Sequence, residues 1–255
     1  MATLDIQSLT LQIANKTLCR DLSVRIQENE RWALLGKNGA GKTTLLHSLI
    51  GQRTTAAGSI LLDGQNISSL KQRELARKVG ILFQQGIEAL PATVIETVML
   101  GRHPHVQSLF RDDEEDSAIA EQALIAFDLE LLRERPVDSL SGGEMQRLAL
   151  AMLLAQTPEI FLLDEPSNHL DVAFQVRLLS VLTNKVAQNS ASLIMATHDI
   201  NLAARFCENI ILLLEGGNSL VGKSIEVLTE KNLSNAYGCP IRSVRSDEHQ
   251  LFYPA

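Results

Sequence analysis

The sequence predicts an α/β protein: a core of buried strands and helices, led by an antiparallel sheet and interrupted by an inserted helical subdomain. Three observations predict it. Residues 1–30 alternate apolar and polar in short runs. The run Trp32, Ala33, Leu34, Leu35 is continuously apolar and stops at a glycine. Buried-strand runs return after residue 140, beyond a middle third with helical patterning.

Taken in order, Leu9, Leu11 and Ile13, then Leu22, Val24 and Ile26, recur with period 2, as half-buried antiparallel strands do. The four-residue apolar run from Trp32 suits a strand covered on both faces. Leu45, Leu46, Leu49 and Ile50 then recur at helical spacing, with Gly51 placed as a C-cap. Ile60, Leu61 and Leu62 lead into Asp63-Gly64, a strand entering a hairpin turn. Residues 79–83 read as a further strand. Residues 88–140 hold few β-branched clusters, and over 113–127 Ile119, Ala123, Leu124 and Phe127 share one helical face. The acidic run 112–116 reads as a solvated helix start favoured by the macrodipole. Residues 160–163, 192–196 and 209–214 complete the core as buried strands.

Composition bounds the function. Hydrophobic residues make up 45% of the chain, so it can fill a core and is not disordered. A net charge of -7 without a long basic run speaks against nucleic acid as partner. The apolar runs fall short of the roughly 20 residues needed to span a bilayer, and the N-terminal residues do not read as a secretory leader. Cys19, Cys207 and Cys239 are too few and too scattered for a disulfide framework or zinc site, so they read as reduced thiols of a cytosolic chain.

The chemistry is concentrated in three segments. Gly36, Lys37, Asn38, Gly39, Ala40, Gly41, Lys42, Thr43 and Thr44 fit the phosphate-loop pattern. Glycines let the backbone wrap phosphate oxygens and turn N–H groups inward, and the helix behind adds its positive end. Lys42 would reach the β and γ phosphates and the Thr43 hydroxyl a Mg²⁺ position. In the second segment the strand from Ile160 delivers Asp164 and Glu165 to its carboxyl end, where open α/β sheets bind ligands. Asp164 suits a Mg²⁺ shell, and Glu165 suits polarising an attacking water. The third is Leu140, Ser141, Gly142, Gly143, Glu144, Met145, Gln146 and Arg147, a glycine-rich helix start with Ser141 and Glu144 set as a capping box.

That third segment, LSGGEMQR, resembles the signature of ABC-type ATPases, and the resemblance extends from about residue 9 to residue 238. It implies a RecA-like phosphate-loop core with the β subdomain and helical insertion already read from the residues. One ABC domain over 1–255 would divide into a core with β subdomain (1–87 and 151–235), a helical subdomain (88–150) and a C-terminal tail (236–255). Gln84, rather than the adjacent Gln85, matches the family's Q-loop glutamine, which touches Mg²⁺ and senses the membrane partner. Ser167, Asn168, His169, Leu170 and Asp171 resemble the D-loop, and His198 matches the switch histidine at the γ-phosphate. Ile13 stands where many members place an aromatic ring on adenine, and Asn29 where the family often has glycine.

The resemblance implies ATP and Mg²⁺ as cofactors and a head-to-tail pair of copies. Lys42, Thr43, Gln84 and Asp164 of one copy would face Ser141, Gly142, Gly143 and Glu144 of the other, with Glu165, His198 and Lys42 as the catalytic set. Residues 93–105, 166–171 and 251–255 are similar to ATPases of iron-siderophore, haem and vitamin B12 importers. That narrower likeness implies two permease subunits, a periplasmic or extracellular binding protein, and a peripheral place on the cytoplasmic face of the cell membrane. His103 and His105 then read as a loop or helix end at the permease interface rather than a metal site. Molybdate import or a soluble, non-transport ABC ATPase is the alternative; a long coiled coil or a second ATPase half, usual in the latter, is not present in this sequence.

Overall fold

The computed structural model describes residues 2–14, 16–85, 91–106, 114–167, 170–245 and 250–255. The N-terminal period-2 pattern forms β1 (Leu4–Ile13) and β2 (Lys16–Ile26), antiparallel with Leu4 opposite Ile26. The buried set of β1 slips from Leu4 and Ile6 to Leu9 and Leu11 because a bulge falls between them, where Ser8 takes a positive φ of 46°. β3 (Arg31–Leu35) follows, then α1 (Lys42–Leu49), with Gly51 at φ 73° just past the helix end. β4 (Ala57–Leu62) turns through Asp63 (φ 52°) and Gly64 (φ 79°) into the two-residue β5 (Gln65–Asn66), the paired positive φ values of a tight hairpin.

Next come α2 (Gln72–Lys78), β6 (Val79–Leu82), α3 (Val94–Leu100), α4 (Glu114–Ala126) and α5 (Gly142–Ala155). β7 (Ile160–Asp164), α6 (Val172–Gln188), β8 (Ser192–Ala196), α7 (Ile200–Phe206) and β9 (Asn209–Leu213) rebuild the core. β10 (Ser219–Lys223), α8 (Ser224–Val227), α9 (Glu230–Tyr237) and the hairpin β11 (Ile241–Arg245) with β12 (Gln250–Pro254) end the chain.

The first sheet runs β2-β1-β4-β5 and is antiparallel. The second runs β10-β9-β3-β8-β7-β6 and is parallel except for β10. Two cores explain why the central strands are apolar throughout. Trp32, Leu34, Ile160, Leu162, Ile194 and Ile211 face α1 and the antiparallel sheet. Ala33, Leu35, Phe161, Leu163, Leu193 and Leu212 face α5, α6 and α7. Alternate residues of one run serve opposite layers.

The helices α3, α4 and α5 pack together as the inserted subdomain. The acidic run starts α4 as expected, with Glu114 and Glu115 exposed, but it departs from the expectation at Asp116. Asp112 and Asp113 lie outside the described residues, and Asp116 turns inward as a buried partner of Arg102 rather than standing solvated (Nε to Oδ1 2.6 Å). The Arg102 guanidinium also donates to the carbonyl of Ala155 and the hydroxyl of Thr157. Partnered on several sides, the buried charge is compatible with the interior. Residues 236–255 carry a hairpin whose Ile241 and Phe252 join the helix-side core. Cys19 and Cys207 are buried and Cys239 exposed, all as free thiols. Among the described residues no helix is long and apolar enough to cross a membrane.

Candidate active site

The carboxyl ends of β3, β7 and β8, neighbours in the central sheet, meet at one place. Leu35 runs directly into the glycine-rich loop. Gly41 has φ 109°, and a Cβ there would lie 2.8 Å from that of Leu18, so the loop's last glycine is required by backbone and by space. The loop closes on α1, whose first residue is Lys42. Residues 38, 39 and 41–44 line an open pocket of about 370 Å³, together with Ile13, Leu18, Gln84 and Glu165.

Lys42 is buried, and its Nζ donates to the carbonyl of Gly36 at 2.9 Å. It also lies 4.0 Å from Oε1 of Glu165. Burial pulls the ammonium pKa down, while Glu165 and Asp164 push it up. Asp164 ends β7 with both carboxylate oxygens buried and without a hydrogen-bond partner. The Thr43 hydroxyl, His47 and Lys42 favour its charge, the hydroxyl from outside the geometry of a formed bond, but burial prevails and raises the carboxyl pKa. Two orphaned carboxylate oxygens beside a threonine hydroxyl have the donor chemistry of a hard cation site left open for further oxygens. Among the described residues no cluster of three His, Cys, Asp or Glu offers a self-sufficient metal cage.

Glu165 follows on a turn with φ 52°, a strained value for a residue with a Cβ. Its N–H is tied to the carbonyl of Ala196 at 2.9 Å, and its Oε2 lies 2.8 Å from Nδ1 of His198. The carboxylate is buried and the imidazole mostly exposed. Gln84 is exposed and lines the pocket; Gln85 is not among the lining residues. The ring of Phe83, just before it, meets His47 edge-on at 5.3 Å between centroids.

The third segment is elsewhere. Ser141 caps α5, its hydroxyl accepting from the Glu144 amide while Glu144 accepts from the Ser141 amide at 2.7 Å. Ser141 holds the Glu144 carboxyl below its ordinary pKa, with help from Arg135. None of residues 141–144 lines the pocket, and Ser141 and Gly142 are exposed. A Cβ on Gly142 would meet nothing within 4 Å. No internal packing therefore demands that glycine.

A model of the ABC transporter family matches residues 19–168. The chain belongs to this family. It is an ABC-type ATPase domain that binds nucleotide. It is 36% identical over 232 residues to the ferric enterobactin transport ATP-binding protein of Escherichia coli, covering 91% of this chain and 86% of that one. Among solved structures, a metal-chelate type ABC transporter in an inward-facing conformation superposes with a TM-score of 0.85 at 26% identity, over 100% of this chain and 98% of the other. A dimeric ATP-binding cassette in a post-hydrolysis state with ADP and Pi gives 0.75 at 27%, over 87% and 98%.

Several features of this ABC ATPase are not legible in the sequence. Lys16 donates to the carbonyl of Gly39 at 2.9 Å, pinning the loop tip from β2. The Tyr237 hydroxyl is buried beside the Gly36 amide without a formed hydrogen bond, and burial pushes its pKa up to about 12. Gln146 donates to the carbonyl of Pro166 at 3.0 Å. No periodicity joins residues 20 positions apart on different elements, so the sequence carried no signal for that contact. Asn29, standing where the family often has glycine, has φ 60°, a conformation asparagine tolerates better than most residues. Asn168 and His169 of the D-loop-like run lie outside the described residues. His103 is exposed; His105 is half-buried with Nε2 2.9 Å from the Gln156 carbonyl, and burial lowers its pKa. Its place is the joint between helical subdomain and core, where Arg73 and Arg77 also hold the Pro104 carbonyl.

Proposed function

We propose that this ABC ATPase powers import of a metal-chelate cargo through a transmembrane permease, working as a head-to-tail pair on the cytoplasmic face of the cell membrane. The observation that carries the catalytic part is the convergence of Lys42, Thr43, Gln84 and Glu165 on one pocket beside the orphaned carboxylate of Asp164. Loop residues 36–44 cradle the triphosphate, and Lys42 exchanges the Gly36 carbonyl for β and γ phosphate oxygens. Thr43, Asp164 and Gln84 would hold Mg²⁺, which suits their oxygen donors and supplies charge neutralisation on the phosphates.

Glu165 then accepts the proton of the attacking water, and His198 orients its carboxylate through the Nδ1 contact. Ser141, Gly142, Gly143 and Glu144 line none of their own pocket and so serve the γ-phosphate held by the second copy. The dimeric cassette that resembles this chain supports that pairing. The cargo class follows from the ferric enterobactin and metal-chelate relatives. On this reading a permease pair and a substrate-binding protein hold the chelate, and the ATPase touches none of it.

The test is to isolate the chain with the membrane proteins it binds and measure ATP turnover with and without a chelate-loaded binding protein. Stimulated turnover in a complex of two ATPase copies with a permease is the expected result. Co-isolation with nucleic acid, or turnover indifferent to every membrane partner, would overturn the transport reading.

A further inference from the structure

The two motif segments that fail to meet across one pocket are nonetheless tied together inside one chain. Ser141 and Glu144 belong to the first turn of α5, with Ser141 exposed and Glu144 half-buried. Gln146, one turn further along the same helix, donates its side-chain N–H to the carbonyl of Pro166 at 3.0 Å. Pro166 follows Glu165, whose backbone is held at φ 52°. From the other side, Gln175 of α6 donates to the carbonyls of Ser167 and Leu170, both at 3.0 Å. Pro166, Ser167 and Leu170 are thus gripped by two glutamine amides, one from the helical subdomain and one from the core.

We infer that Gln146 is a positioning residue that couples the two nucleotides of the pair: it transmits the seating of one copy's γ-phosphate on Ser141 to the Glu165 that acts on its own copy's nucleotide. This rests on the proposed head-to-tail function. A helix turn is stiff, so a displacement at Ser141 arrives at Gln146 nearly undiminished. A left-handed backbone at a glutamate persists only where its surroundings over-determine it, so the Pro166 bond is one of the constraints that keep Glu165 in place. Proline has no N–H, which leaves the Pro166 carbonyl as that residue's one polar backbone handle. A contact made by a side-chain amide can also shift with α5 without tearing the β7 ladder.

Gln146→Met keeps the length and removes the donor. Gln146→Glu keeps the shape and sets a carboxylate against the carbonyl. Both are measured in the complex with the membrane partner for ATP affinity, turnover and Hill coefficient. The expected result is unchanged ATP affinity and melting temperature, kcat lowered by roughly tenfold, and a Hill coefficient falling from near 2 toward 1, as loss of coupling between two sites requires. Weaker affinity and lower melting temperature in step, with the Hill coefficient intact, would make Gln146 merely structural and overturn the inference. Unchanged kcat and Hill coefficient would overturn it as well. Absence of turnover in every form, wild type included, would overturn the proposed function and the coupling with it.

Discussion

The Nδ1 of His198 sits 2.8 Å from Oε2 of Glu165, while the other oxygen of that carboxylate lies 4.0 Å from Nζ of Lys42. One carboxylate thus joins the strand-end turn of β7, the loop after β8 and the first residue of α1. Glu165→Gln keeps the shape and can still bond the imidazole, so the site should hold its geometry without a base. Turnover should fall by roughly 10²–10⁴, the usual worth of a general base. ATP binding should persist and trap a closed pair, read as a doubled mass by light scattering in ATP.

Lys42→Met should leave the fold intact and abolish the nucleotide-induced rise in melting temperature. In wild type the ammonium is buried and its pKa held down, a sign that the ligand-free site bears the charge at a cost. Nucleotide binding repays that cost by presenting phosphate oxygens. Differential scanning fluorimetry with and without Mg-ATP checks both halves.

Asp164→Asn should stabilise the ligand-free protein at pH 7 and destroy turnover. The folded carboxyl has a raised pKa because it is buried, so the folded state holds its proton to higher pH than the unfolded chain does. The wild-type penalty is absent below the unfolded value of about 3.9, grows as pH climbs through the raised folded value, and is complete above it. Urea unfolding of wild type and variant at pH 7 should differ, and the gap should narrow toward pH 4.

The phosphate loop was legible because its chemistry is local: a strand, a glycine turn and a helix within nineteen residues, 31–49. The strands β3 and β7 were legible because burial on both faces leaves a continuous apolar run. Arg102 and Asp116 were not legible, since a helix start rich in acid looks solvated until an arginine from another element is found beneath it. The joint at His105 was hidden for the same reason, its partner Gln156 lying 51 positions away at the end of α5. The signature run announced itself by pattern, and the structure adds that Ser141 and Gly142 are exposed and line none of the pocket, the setting that the proposed head-to-tail pairing asks of them.

The Arg102–Asp116 pair sets a test of the helical subdomain. Arg102→Met leaves a buried carboxylate uncompensated and should cost about 3–5 kcal/mol in urea unfolding. Combining it with Asp116→Leu should recover most of that loss, because an apolar pair of similar volume needs no hydration. A double variant as weak as the single one would show that the hydrogen bonds to Ala155 and Thr157 matter more than the ion pair.

Two glycines should respond in opposite ways to a single methyl group. A Cβ on Gly101 would lie 2.2 Å from the carbonyl oxygen of Met152, backbone that cannot move aside without parting α3 from α5. Gly101→Ala should therefore lower stability, and with it everything else. Gly142 has open space around a Cβ and sits in the first turn of a helix, where alanine is favoured over glycine by up to about 1 kcal/mol. Gly142→Ala should match or exceed wild-type stability, yet lose at least tenfold in turnover because the methyl intrudes where the second copy's γ-phosphate must approach the backbone. Thermal melting and steady-state ATPase assays on the two variants separate a glycine kept for packing from one kept for a partner's nucleotide. A Gly142→Ala protein with full activity would remove the ground for placing that nucleotide against α5.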